Sequence, residues 1–246
     1  MTEVRLVSPD QQMLGIPKRR KFRDDRYLLN LNLANYYGDG YWEIPRIRPE
    51  KYEPIEKWVP FHKANTTEAR SKRGLHFYTD DYAFDRVWYR LERYTELLQQ
   101  FAAVIAPDWS LYTDWPPAVN IWNHYRNQFV GRWLQDHGVK VYPNICWTDE
   151  KSFEWCFLGA PKGSTVALTS QCSMMHKESR KLFIQGFHEM EKRLEPETIL
   201  IYGHTIPDEC QRDNIILIPT WYKTKFAKKY QKEESGNEGP DAEAVL

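Results

Sequence analysis

From Gly74 onward, apolar residues gather into short runs separated by longer amphipathic segments. The runs at 75–79 (LHFYT), 102–106 (AAVIA), 139–147 (VKVYPNICW), 164–170 (STVALTS), 198–203 (TILIYG) and 214–219 (NIILIP) read as strands, the third broken or bulged at Pro143. Between them, 82–102 reads as one or two helices, with Leu91, Tyr94, Leu98 and Phe101 at helical spacing. Pro116 and Pro117 open a second helix, 118–138, which repeats Ala118, Trp122, Tyr125, Phe129 and Trp133 on one side and stops at Gly138. Residues 149–160 begin with acids that favour a helix N-terminus, and 176–196 place Phe183, Phe187, Met190 and Leu194 on one face.

Strands that alternate with helices this regularly predict an α/β domain over 74–221, built from parallel βαβ units with right-handed crossovers. The leading architecture is a TIM-like barrel, complete or incomplete; the alternative is an open doubly wound sheet. Local periodicity does not distinguish them, because closure depends on pairing between distant strands.

Residues 1–73 show neither period and are rich in Pro, aromatic and basic residues, so they read as an irregular arm packed on the domain. Residues 222–246 are charged and poor in large apolar side chains, the composition of a disordered tail. Lys plus Arg and Asp plus Glu both number 34, so the whole chain is neutral and has no general attraction for nucleic acid or membrane. The balance is uneven: residues 1–75 carry net +5 and residues 76–221 net −5. Lys18, Arg19, Arg20, Lys21 and Arg23 could therefore grip phosphates with a salt-sensitive bond, or simply lie solvated over the core.

No stretch approaches the roughly 20 apolar residues of a membrane span. The opening MTEVRLVSPDQQ lacks the apolar core of a signal peptide, so a soluble, cytoplasmic protein is expected. Cys146, Cys156, Cys172 and Cys210 show no CxxC spacing and read as reduced packing residues.

Candidate chemistry concentrates where the expected strands end. In parallel α/β folds ligands bind beyond the carboxyl ends of the strands, because loops there vary without disturbing the core. The first expected strand exits into Asp80 and Asp81, and the second into PDWSLYTDWPP, with Asp108, Ser110, Tyr112 and Asp114. The third delivers Trp147 and Asp149, and the fourth Thr169. Carboxylates gathered this way could act as general acid and base, hold a divalent cation, or accept hydrogen bonds from a substrate. Asp80, Asp114 and Asp149 have a competing role as helix caps or first-turn acids. Asp108 escapes that role, since it lies directly after its strand and well before the next helix. On that helix Asn120, Asn123 and Asn127 fall at i, i+3 and i+7 with Arg126 beside them, a stripe that could line a pocket or form a solvated face.

Sharper motifs are missing. GAPKGST (159–165) sits after a helix and before a strand, the reverse of a phosphate-binding loop, and no HExxH, GxSxG or GxGxxG is present. The blocks GLHFYTDDYAFDRVW, PDWSLYTDWPPAVNIWNHYRNQFVGRWLQ and YPNICWTDEKSFEWCFLGAPKGSTVALTS resemble a family of uncharacterised bacteriophage and mobile-element proteins, a domain of unknown function. The resemblance implies a phage or mobile-element origin and a bacterial cytoplasm, and carries over no catalytic residue.

Three functions fit the sequence. One is an enzyme with catalytic Asp108, Asp81, Asp80 and Asp149, and with Ser110, Tyr112, Asp114, Asn123, Arg126, Asn127, Trp147 and Thr169 around a nucleotide, nucleic-acid or sugar-like substrate. Another is a nucleic-acid-binding module that uses the basic arm. The third is a phage protein that binds a host protein or a small molecule without chemistry.

Overall fold

A computed structural model describes residues 29–31, 33, 38–171 and 176–220. Among the described residues nine strands run in chain order: β1 (Gly38–Asp39), β2 (Ile44–Pro45), β3 (Lys57–Pro60), β4 (Arg73–His76), β5 (Ala103–Ile105), β6 (Val141–Tyr142), β7 (Thr165–Thr169), β8 (Thr198–Tyr202) and β9 (Ile215–Ile218). The α-helices are α1 (Arg86–Tyr89), α2 (Leu91–Leu98), α3 (Pro117–Asp136) and α4 (Lys177–Leu194). Single 3₁₀ turns at Asp81–Ala83 and Glu150–Glu154 stand where helix starts are expected.

β3 to β6 pair in parallel in chain order, and so do β7 to β9. Pro143 lacks an amide hydrogen and ends β6 early, yet the ladder resumes one step on. Asn144 bridges Ala167, with Ile145 N donating to Ala167 O at 2.7 Å and Ala167 N to Pro143 O at 2.9 Å. Seven parallel strands thus follow one another in sequence order. β3 lies inside the segment read as an irregular arm, which therefore supplies the sheet's first strand. Its KWVP run is too short and too mixed to register as a period.

Alternation along the strands separates two buried faces. Val104, Val166, Leu168, Ile199 and Ile201 point to one face, where they meet Trp88, Leu98, Phe129 and Leu134 of the first three helices or Phe183, Phe187 and Met190 of α4. Ala103, Ile105, Tyr142, Ala167, Leu200, Tyr202 and Ile218 point to the other, in a cluster with no residue from these helices. Among the described residues the helices lie on one face and the strands follow chain order without reversal, unlike the doubly wound alternative.

The face that carries none of the described helices is concave. Tyr78, just beyond β4, stacks on Tyr202 at the end of β8 with ring centroids 4.9 Å apart, and His76 of β4 lies 4.4 Å from the same ring. In a flat sheet strands four places apart would be separated by roughly 19 Å, at about 4.8 Å per strand. The sheet must curl to bring them together. It does not close: among the described residues β9 forms no ladder with β3, so a closed barrel is not present.

The segment before β3 is fastened across the outside. The Gln135 side chain accepts from Arg48 N at 2.6 Å and donates to Arg48 O at 3.0 Å, and Ser164 Oγ does the same for Glu50 at 2.9 and 3.0 Å. Tyr52 and Ile55 then pack against the concave cluster. The arm residues Lys18, Arg19, Arg20, Lys21 and Arg23, Cys172, and the tail 222–246 lie outside the described residues.

Candidate functional site

Parallel pairing sets the exits of β4, β5 and β6 side by side, and a single loop carries most of the site. Residues 109–112, after β5, run along α3, where the asparagine stripe holds them by their backbone. Asn127 accepts from Trp109 N at 2.8 Å and donates to Trp109 O at 3.2 Å. Asn123 donates to Ser110 O at 2.7 Å. Asn120 accepts from Tyr112 N at 3.1 Å and donates to Tyr112 O at 2.8 Å. A carboxamide carries both a donor and an acceptor, so it can pair with a backbone unit as a neighbouring strand would. All three amides are buried, and the stripe is a clamp for the loop.

The clamp presents Ser110 to Asp81. Both Ser110 N (3.1 Å) and Ser110 Oγ (2.9 Å) donate to the Asp81 carboxylate. Burial nevertheless raises the Asp81 pKa, opposed by the Ser110 hydrogen bonds and the charge of Arg126, with Asp85 adding to the rise. Arg126 stands behind the loop: it donates to Asp85 at 3.1 Å and to Asn123 at 2.6 Å, and its guanidinium lies 4.4 Å from the Trp109 ring centre. Trp109 in turn donates its indole N–H to Asp85 at 3.0 Å. Arg126 is thus committed to a brace.

Asp108 is the most perturbed carboxyl of the group. Asn144, one residue past the Pro143 break, donates to Asp108 Oδ1 at 2.6 Å, and Tyr78 Oη donates to Asn144 Oδ1 at 2.9 Å. Burial pushes the Asp108 pKa up to about 6, the Asn144 hydrogen bond pulls it down, and the nearby charge of Asp81 pushes it up. Both carboxylates also act on the thiol of Cys146, whose pKa burial raises far above its usual value. Asp81 and Asp108 therefore share one electrostatic neighbourhood at the strand exits, lined by Tyr78, Asn144 and Cys146.

Other expected residues lie elsewhere. Asp149 caps the 150–154 turn, accepting from Ser152 N at 3.0 Å, and is exposed. Asp80 precedes the 81–83 turn without a side-chain cap bond and is exposed, as is Asp114. Of the four expected catalytic acids, the structure unites Asp81 and Asp108 alone. Tyr112 holds an exposed ring 4.6 Å from that of Trp115 on the rim. Among the described residues no three His, Cys, Asp or Glu side chains form a metal-holding group.

Next to the acids lies a cavity of about 320 Å³. Leu111, Tyr112, Thr113, Ile145, Cys146, Trp147, Thr148 and Thr169 from the strand exits line it, with Gln171 and with Ser179, Leu182 and Phe183 of α4. Trp147 and Thr169 thus enter the site through the cavity. The Trp147 indole donates to Leu182 O at 3.2 Å and lies against Gly186, where a Cβ would overlap it.

Sequence reasoning misses Tyr78, Asn144, Asp85 and Cys146. Tyr78 falls inside a strand-like run, and Asn144 follows a proline that reads as a simple break. Pairing of β4 and β6 on either side of β5 places them beside Asp108.

Among the described residues no helix is long and apolar enough to cross a membrane. No solved structure matches the chain. It is 36% identical over 179 residues to the "Gene 1 protein" of Mycobacterium phage L5, spanning 72% of this chain and 77% of that protein. It is 33% identical over 222 residues to the "Gene 1 protein" of Mycobacterium phage D29, spanning 89% and 80%. A family model described as a domain of unknown function (DUF4417) matches residues 36–220, and the chain belongs to that family, with phage proteins among its relatives.

Proposed function

We propose that this protein is an enzyme in which Asp108 moves a proton to or from a small polar substrate bound at the strand exits. The observation that carries the reading is the meeting of Asp108 and Asp81 at the strand exits, where burial first and the Asp81 charge second hold Asp108 near pKa 6. A carboxyl in that range has both protonation states available near neutral pH, the condition for efficient general acid–base transfer. Asn144 positions one oxygen of Asp108. The other has no hydrogen-bond partner among the described residues and is the atom that carries the proton. Asp81 remains tied to Ser110, and its negative charge adds to the burial that keeps Asp108 basic enough to act.

The fold supports the same reading by analogy, since sites in singly wound parallel α/β proteins lie at this end of the sheet. The substrates to test are nucleotides, short nucleic acids and sugars, incubated with the full-length protein. The reading expects turnover of one of them, rising with an apparent pKa near 6, and its loss in Asp108→Asn with the fold intact by circular dichroism. An Asp108→Asn protein with unchanged turnover would remove Asp108 from the chemistry.

A further inference from the structure

The cavity beside the acids has a chemistry of its own. Its walls are apolar where Trp147, Phe183, Leu111 and Ile145 meet, and its polar side chains are uncharged, Thr113, Thr148 and Gln171 among them. No Lys, Arg, Asp or Glu belongs to its lining among the described residues. A volume of about 320 Å³ falls at the small end of ligand pockets, which run from about 300 to 1,000 Å³, so it suits one small molecule.

Its surroundings narrow the ligand further. Asp80, Asp81, Asp108 and Asp114 stand on the two neighbouring exit loops, while Arg126 turns its terminal nitrogens to Asp85 and Asn123 and takes no part in the lining. A phosphate group would enter an acidic field with no cation in the lining to receive it, whereas an uncharged ring would meet an indole wall and hydroxyl donors and acceptors at its edge.

We infer that this cavity is the subsite for an uncharged heteroaromatic ring of nucleobase type, belonging to a ligand whose hydroxyl-bearing part reaches Asp108 and Asp81. The inference rests on the proposed acid–base site for its second half and on the cavity for its first. Leu111 follows Ser110, and Ile145 and Cys146 follow Asn144, so the cavity wall and the residues that hold the carboxyls are consecutive in the chain. The wall is also fixed: Trp147 is held by Leu182 O and backed by Gly186. The site is thus selective for nucleosides over their phosphates.

The test is calorimetric titration of the full chain with adenosine, cytidine, thymidine and uridine, their 5′-monophosphates, and methyl glucoside as a sugar without a base. Ser179, half-buried in the first turn of α4, reaches the cavity without touching the acids, so Ser179→Trp fills it and Ser179→Ala serves as the conservative control. The expected result is binding of at least one nucleoside, at least tenfold weaker in Ser179→Trp, within twofold of wild type in Ser179→Ala, and no tighter for the monophosphate. Binding that ignores Ser179→Trp, a tighter monophosphate, a preference for methyl glucoside, or no nucleoside binding at millimolar concentration would each overturn the inference. Asp108→Asn separates the two readings: loss of turnover with cavity binding retained supports both. Nucleoside binding blocked by Ser179→Trp, alongside unchanged turnover in Asp108→Asn, leaves the cavity assignment standing and removes the acid–base one.

Discussion

Asn144 donates to Asp108 at 2.6 Å while its own oxygen accepts from the Tyr78 hydroxyl at 2.9 Å. The Tyr78 contact fixes which end of the amide faces the carboxyl, and that bond can persist in both protonation states because the proton can ride on the other oxygen. Asn144→Ala removes the hydrogen bond that lowers the Asp108 pKa, so the midpoint should rise above about 6. It also strands the buried Tyr78 hydroxyl, at a cost of about 1–3 kcal/mol. Carboxyl-carbon NMR and urea denaturation read the two effects separately.

The charge on Asp108 works against folding. Its folded pKa lies above the ordinary carboxyl value of 3.8, so the folded state binds more protons and stability falls as pH rises from about 4 to about 6. Asp108→Asn keeps the Asn144 contact without the charge. It should be more stable than wild type at pH 7.5, by on the order of 2 kcal/mol, and indistinguishable below pH 4. Denaturation curves across pH 4–8 measure the difference.

Buried histidines set the opposite limb. Burial holds His76 down to about 3 and His124 down to about 4, both below the ordinary 6.5. The folded state then binds fewer protons, so their contribution is whole above pH 6.5 and is lost as pH falls toward those values. His124 Nε2 lies 3.0 Å from Leu158 O, a contact that a glutamine amide can replace. His124→Gln should therefore flatten the acid limb between pH 6 and 4, as read by thermal melts in that range.

The loop clamp should be expensive to break. Asn127→Ala leaves both Trp109 N and Trp109 O without their partner inside the protein, at about 2–3 kcal/mol. Amide exchange at Trp109, Ser110 and Tyr112 should accelerate while that of β8 does not. Asp149→Ala, by contrast, should cost about 1 kcal/mol as a lost cap and leave any ligand binding unchanged.

Much of this fold can be read from periodicity: each expected strand overlaps an observed one, and α3 and α4 lie within two residues of their expected bounds. β3 escapes because four residues, KWVP, are too few to show alternation. The curl escapes too, since it depends on how Tyr78 and Tyr202 meet across the sheet, which no local window contains. Asp108 stands out in sequence because it has no helix to cap, and Asp149 proves to be the cap that its position before a helix start allows. The asparagine stripe is visible as a spacing, but its partners are backbone groups of a loop eight to eighteen positions away. Spacing reveals which side chains share a helical side, and tertiary contact decides what they hold.

A shared acid–base site requires that Asp108 and Asp81 feel one another. Carboxyl-carbon NMR titration of Asp108, in wild type and in Asp81→Asn, measures this directly. Burial with the Asp81 charge added predicts a midpoint near 6 in wild type, and a lower one once the Asp81 charge is gone. A wild-type midpoint near the ordinary 3.8, unmoved by Asp81→Asn, would contradict it.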